Sequence, residues 1–130
     1  MYSILVVDDE ESIRAALTRV LTPEGYAIIE AATIAEGFSA CVRNKPDLII
    51  MDVNLPDGDG VSLCSKIKSD QKLRHIPIFM LTGESVDVDN RLAGLEAGAD
   101  DYILKPFNPG ELIFRVKRIL RDVPKKVGPE

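Results

Sequence analysis

Four short apolar runs punctuate the chain, and each closes on a side chain able to do chemistry. Ile4-Leu5-Val6-Val7 ends in Asp8-Asp9, Leu48-Ile49-Ile50-Met51 in Asp52, Ile78-Phe79-Met80-Leu81 in Thr82, and Tyr102-Ile103-Leu104 in Lys105. Unbroken Val/Ile/Leu runs of this length are what parallel strands covered on both faces require. A further strand, roughly Tyr26 to Ala31, follows the turn at Pro23-Glu24-Gly25. Between the runs the apolar positions recur every three or four residues. Ile13, Ala16, Leu17, Val20 and Leu21 form one helix face, Ile34, Phe38, Cys41 and Val42 a second, and Val61, Cys64 and Ile67 a third. Val88, Leu92 and Leu95 predict a fourth helix closed by Gly98, and Leu112, Val116, Ile119 and Leu120 a fifth opening at Asn108-Pro109, an N-cap followed by a first-turn proline. Five strands alternating with five helices specify an α/β domain, doubly wound, with right-handed crossovers and helices on both faces of a parallel sheet. In such a sheet ligands bind at the carboxyl ends of the strands. One crevice therefore collects three carboxylates, a hydroxyl and an ammonium.

At 130 residues the chain fits one domain, and a chain of this size buries roughly two-thirds of the surface it exposes when unfolded. The expected domain spans residues 1–122. Beyond it, 123–130 loses periodicity and reads as a linker or a frayed tail. Cys41 and Cys64 lie on apolar helix sides without metal-knuckle spacing, so they read as buried free thiols suited to a reducing cytoplasm. The net charge of -5 gives no general attraction to nucleic acid or to anionic membrane. No apolar stretch approaches the ~20 residues of a spanning helix, and strand-like sequence begins almost at Met1, which leaves no room for a signal peptide. His75, the single histidine, lies in the polar approach to the fourth strand and reads as a solvated loop residue.

The acids admit two readings. Asp8-Asp9-Glu10-Glu11 could cap the first helix, since carboxylates there accept backbone N–H bonds and complement the dipole. Asp52 is different, because it ends a buried strand and precedes the turn-rich Val53-Asn54-Leu55-Pro56-Asp57-Gly58 rather than a helix start. Three carboxylates brought together repel one another unless a cation neutralises them. An all-oxygen set without His or Cys selects a hard ion, and few protein ligands with room for water suit magnesium better than calcium. An EF-hand reading of Asp52-x-Asn54 fails, as Pro56 stands at the next ligand position and Asp57 at that of the invariant glycine. Lys105 emerges at the same sheet end, either as a strand-end partner for an acid or as a cation for a bound anion. Thr82 is either a turn residue or a hydroxyl donor, and Gly83 beside it allows close backbone approach. Together these are a carboxylate nucleophile, a metal, a hydroxyl and a cation around one anion-sized space, the parts needed to move a phosphoryl group onto a side chain.

Asp8-Asp9, Asp52 within Ile-Met-Asp-Val-Asn-Leu-Pro-Asp-Gly-Asp-Gly, Thr82-Gly83-Glu84 and the run from Gly98 to Phe107 closely resemble the receiver domain of two-component response regulators. The resemblance covers about residues 2 to 122. It implies a flavodoxin-like fold of strand order 2-1-3-4-5, with Asp52 accepting a phosphoryl group from a sensor histidine kinase or phosphotransfer protein. By the same motif Asp9, Asp52 and the Asn54 carbonyl would hold Mg2+ directly and Asp8 through water, while Thr82, Gly83 and Lys105 would contact the phosphoryl group. Thr82 and Tyr102 would form a switch pair, the bond before Pro106 would be cis, and Asn54 and Glu84 would leave water access for rapid dephosphorylation. A haloacid-dehalogenase phosphohydrolase would instead carry a second acid two residues after the nucleophile, where Asn54 stands. A flavin carrier would need a hydroxyl- and glycine-rich loop after the first strand, where this chain has four acids. The implied protein is a phosphorylation-controlled switch rather than a metabolic enzyme, with no direct nucleic-acid or membrane contact by this domain.

From Arg91 to Arg121 the pattern resembles the winged-helix transcription-factor branch, whose receivers dimerise through the fourth helix, fifth strand and fifth helix. Reciprocal pairs across a two-fold axis would join Arg91 to Glu111 and Asp101 to Arg115 around Leu95 and Ile113. The alternative is pairing inside one helix, open to Glu111 and Arg115 at four-residue spacing.

Overall fold

The structure, a computed structural model, describes residues 1–83 and 97–124. Strand β1 (Ser3–Val7) leads to α1 (Glu11–Leu21), β2 (Ala27–Ala31), α2 (Ile34–Asn44), β3 (Leu48–Asp52), α3 (Gly60–Lys68), β4 (Ile78–Gly83), β5 (Asp101–Lys105) and α4 (Pro109–Leu120). The helix predicted around Val88, Leu92 and Leu95 lies outside the described residues, so α4 is the fifth helix of the sequence reading. Gly98, expected to close that predicted helix, has a φ of 109°, a conformation glycine adopts without penalty. None of the described helices is long and apolar enough to cross a membrane.

All the strands named pair in parallel in the order β2-β1-β3-β4-β5, the order implied by the resemblance. Side chains alternate along each strand, and the alternation sorts them into two cores. Leu5, Val7, Ile49, Met51, Ile78 and Met80 pack with Ala40 and Cys41 of α2 and Leu63, Cys64 and Ile67 of α3. Their neighbours Ile4, Val6, Leu48, Ile50, Phe79 and Leu81 pack with Leu17 and Leu21 of α1 and Leu112, Val116 and Leu120 of α4. Both faces are thus covered, which is why the strand sequences carry no polar alternation. Gly37 lets α2 approach closely, since a Cβ there would lie 3.1 Å from a methyl of Val7 and 3.2 Å from one of Leu63.

Three helix starts are capped by side chains, whereas α1 opens at Glu10 without a side-chain cap bond. Asn108 accepts a bond from the Glu111 amide, Thr33 from that of Glu36, and Asp59 from that of Val61. Cys41 and Cys64 are buried and free, and burial pushes their thiols up to about 12 and about 11. Packing continues past Leu120. Val123 lies against the second core, and the Tyr2 hydroxyl donates to its carbonyl at 2.6 Å, tying the turn after α4 to the start of β1.

Candidate functional site

The carboxyl ends of β1, β3, β4 and β5 lie along one edge, and they carry Asp8-Asp9, Asp52, Thr82 and Lys105. Asp8 is wholly buried: its amide donates to the Ala31 carbonyl at 3.0 Å and its Oδ1 accepts the Glu10 amide at 2.9 Å. Asp52 is buried on the central strand. Its Oδ1 accepts the Asn54 amide at 3.0 Å, and its Oδ2 accepts from Lys105 Nζ at 2.6 Å. Asp9 is exposed, yet its carboxylate completes a cluster in which one oxygen of each of Asp8, Asp9 and Asp52 lies within 4.8 Å of the others.

The charges are unevenly settled. Lys105 Nζ lies 3.2 Å from Asp8 Oδ2, but its hydrogen bond goes to Asp52, and Asp8 Oδ2 is left buried with a charge contact and no hydrogen bond. Burial, aided by the Asp52 charge, raises the Asp8 pKa despite the Glu10 amide and Lys105. For Lys105 burial opposes the charge, yet the hydrogen bond to Asp52 and the two acidic charges outweigh it and hold the ammonium above its usual value. An orphaned buried carboxylate oxygen beside two further acids, with no nitrogen or sulfur donor in the set, fits a hard divalent cation.

Thr82 is buried at the end of β4, its hydroxyl donating weakly to the Gly83 carbonyl at 3.4 Å. Gly83 is half-buried, and a Cβ on it would meet nothing among the described residues. Tyr102 is half-buried against the first core and pairs with Met80 across the sheet. The Lys105–Pro106 peptide is cis. Asn54 is exposed at the start of a short antiparallel hairpin, Asn54–Leu55 with Gly58–Asp59. Glu84, Arg91 and Leu95 lie outside the described residues.

Within the chain Arg115 meets Asp101 at 2.6 Å, Glu111 at 2.9 Å and the Tyr102 carbonyl at 3.3 Å. Arg115 sits one turn beyond Glu111 and over the start of β5. Ile113 is half-buried, and the apolar residue α4 exposes is Phe114, 61% accessible, which the sequence reading passed over. Two further residues hold backbone in place without having signalled it, Arg14 at the site and Asp57 at the start of α2. Arg14 donates to the Asp8 carbonyl at 2.7 Å, and Asp57 accepts the Ile34 and Ala35 amides at 2.8 and 3.1 Å. Nothing in the local sequence marks either, because each partner is remote or is backbone.

The response regulator receiver domain model matches residues 4–117. The phosphate regulon transcriptional regulatory protein PhoB of Pseudomonas aeruginosa is 44% identical over 98% of this chain and 53% of its own length. The transcriptional regulatory protein GltR of the same organism is 46% identical over 92% of this chain and 49% of its own. The chain thus spans about half the length of the curated relatives it matches. Among solved structures, the signal receiver domain of a signal transduction histidine kinase from Syntrophus aciditrophicus superposes with a TM-score of 0.89 at 35% identity, covering all of this chain and 98% of that one. A two-component response regulator from Clostridium difficile gives 0.88 at 32% identity over 96% of this chain and 100% of its own. With the strand order, the acid cluster and the lysine on the page, these matches make this chain a member of the response regulator receiver family, a phosphorylation-activated switch of two-component signalling.

Proposed function

We propose that Asp52 is the phosphoryl acceptor and that a phosphohistidine on a cytoplasmic sensor kinase or phosphotransfer protein is the donor. The carrying observation is the setting of the Asp52 carboxylate, held through Oδ1 by the Asn54 amide and through Oδ2 by Lys105, with Asp8 and Asp9 alongside. An Asp52 oxygen attacks phosphorus, the N–P bond of the donor breaks, and the imidazole keeps the electron pair and takes up a proton. Asp9, Asp52 and the Asn54 carbonyl would hold Mg2+, with Asp8 behind them; when bound, the ion screens the carboxylates from the anionic group and polarises it. Lys105 neutralises phosphoryl oxygens from the other side and lessens the repulsion Asp52 meets on attack. Thr82, with the Gly83 backbone, turns its hydroxyl toward the new phosphoryl group, and Tyr102 follows into the space behind it. The chain hydrolyses its own acyl phosphate, with Asn54 and Glu84 lining the path of water.

The output is a change of the face formed by the predicted fourth helix, β5 and α4, read by a downstream domain, a partner or a second copy of the chain. The names of the relatives, both transcriptional regulators, support regulation of transcription by the whole protein.

Incubation with acetyl phosphate and magnesium, followed by mass spectrometry of the intact chain, tests the assignment. The parent gains one phosphoryl group, chelation stops the gain, Asp52→Ala gains none, and the Asn54→Leu, Glu84→Leu double variant keeps its phosphoryl group longer than the parent. Labelling of Asp52→Ala at the parental rate removes Asp52 from the role, and an unchanged lifetime in the double variant removes Asn54 and Glu84 from theirs.

A further inference from the structure

We infer that Arg14 is a positioning residue for the acidic cluster, fixing the peptide that joins Asp8 to Asp9 and thereby the place of the Asp9 carboxylate. The inference rests on the magnesium site proposed above.

The three acids are held differently. Asp8 and Asp52 each accept a backbone amide, and Asp52 also accepts from Lys105. Among the described residues nothing bonds the Asp9 carboxylate, which is exposed, yet it reaches within 4.8 Å of the other two. Its position is therefore set by its backbone. That backbone is gripped on both sides of Asp8: the amide donates to Ala31 at 3.0 Å, and the carbonyl, half of the Asp8–Asp9 peptide, accepts from Arg14 Nη1 at 2.7 Å.

Arg14 is itself anchored. Its Nε bonds Glu30 Oε1 at 3.0 Å, and its side chain is only 17% exposed. Glu30 and Ala31 are the last two residues of β2, so one strand end braces the other twice, once through a carbonyl and once through a guanidinium. The planar fork of arginine holds two acceptors in a fixed relation, which a lysine ammonium on a flexible stem does not. Without the fork the Asp8 carbonyl loses its partner in a partly buried place, and the peptide is free to turn.

Charge and position make opposite predictions, which renders the role testable. Were Arg14 acting only as a nearby cation, removing it would tighten the binding of a divalent ion. As a positioning residue, its removal loosens that binding, since partners that orient metal ligands are worth about 10- to 100-fold in affinity.

The test is calorimetric titration of the 130-residue chain with Mg2+ alone, beside labelling by acetyl phosphate at rising magnesium. Arg14→Met should bind the ion about tenfold more weakly, Arg14→Lys should fall between it and the parent, and the labelling rate of both should return to the parental value at saturating magnesium. A folded Arg14→Met with parental or tighter affinity overturns the inference, even if its melting temperature has fallen. Should that variant not fold, Glu30→Gln, which keeps Arg14 but loosens its anchor, is expected to weaken binding in the same direction, and parental affinity there is equally fatal. A parent that binds no magnesium overturns the metal site itself, whereas a parent that binds it no better than Arg14→Met leaves the site standing and removes only the role of Arg14.

Discussion

Gly60 occupies a position where any side chain collides with the site. A Cβ there would stand 2.3 Å from the Asp52 carbonyl oxygen and 3.1 Å from the Val53 Cα, and the Gly60 amide donates to the Val53 carbonyl at 2.6 Å. The chain can return from the hairpin and begin α3 only by pressing its own backbone against the end of β3. Gly60→Ala is expected to destabilise the fold by on the order of 1–3 kcal/mol and to slow labelling of Asp52, whose own backbone must shift; urea unfolding and acetyl phosphate labelling measure the two effects. At this scale the sequence was informative where a residue ends a buried run. Asp8, Asp52, Thr82 and Lys105 stood out because each interrupts an apolar strand at the crevice edge. Arg14 and Asp57 did not, because a side chain bonded to remote backbone leaves no periodic trace. Phe114 lies off the buried stripe of α4, so the apolar period gave no signal for it.

At the scale of elements, the strands were legible because their runs are continuous and the helices because theirs recur every three or four residues. The boundaries agree to within a residue or so at β2, where Tyr26 packs into the core rather than joining the strand. The hairpin at Asn54–Asp59 was read only as turn-rich, since strands two residues long show no period. Its consequence for α2 is testable. Bonds from the Ile34 and Ala35 amides hold the Asp57 carboxyl below the usual carboxylate range. The unfolded chain therefore takes up that proton more readily, so the stabilisation is complete above the unfolded pKa and is lost as pH falls through the folded one. Asp57→Ala should melt below the parent at neutral pH, and the gap should narrow as pH drops beneath about 4. Thermal unfolding across that range checks it; a gap independent of pH means the carboxylate is not what secures α2.

For the molecule as a whole, the open question is what the β5 and α4 face meets. Arg115 is already paired within the chain to Asp101 and Glu111. A two-fold interface must exchange these contacts rather than add to them, and exposed pairs contribute only about 0–1 kcal/mol each. We therefore expect the beryllofluoride-treated chain to form a weak dimer that high salt dissolves and that Arg115→Glu prevents, read by sedimentation velocity. A monomer at every ionic strength, or a dimer indifferent to Arg115→Glu, points instead to a different partner on this face. The sequence could propose such pairs because charges of opposite sign alternate there, but it could not say whether they close within one chain or between two, since both arrangements satisfy the same spacing.

The bond from Tyr2 to the Val123 carbonyl also couples the turn after α4 to β1. A displacement of Val123 would therefore be felt not by α4 alone but also, through the Tyr2 side chain, by β1, the strand whose far end presents Asp8 and Asp9. The strand that carries two of the acids is thus also tied to the turn after α4, so that turn and the site share one buried strand beside the centre of the sheet.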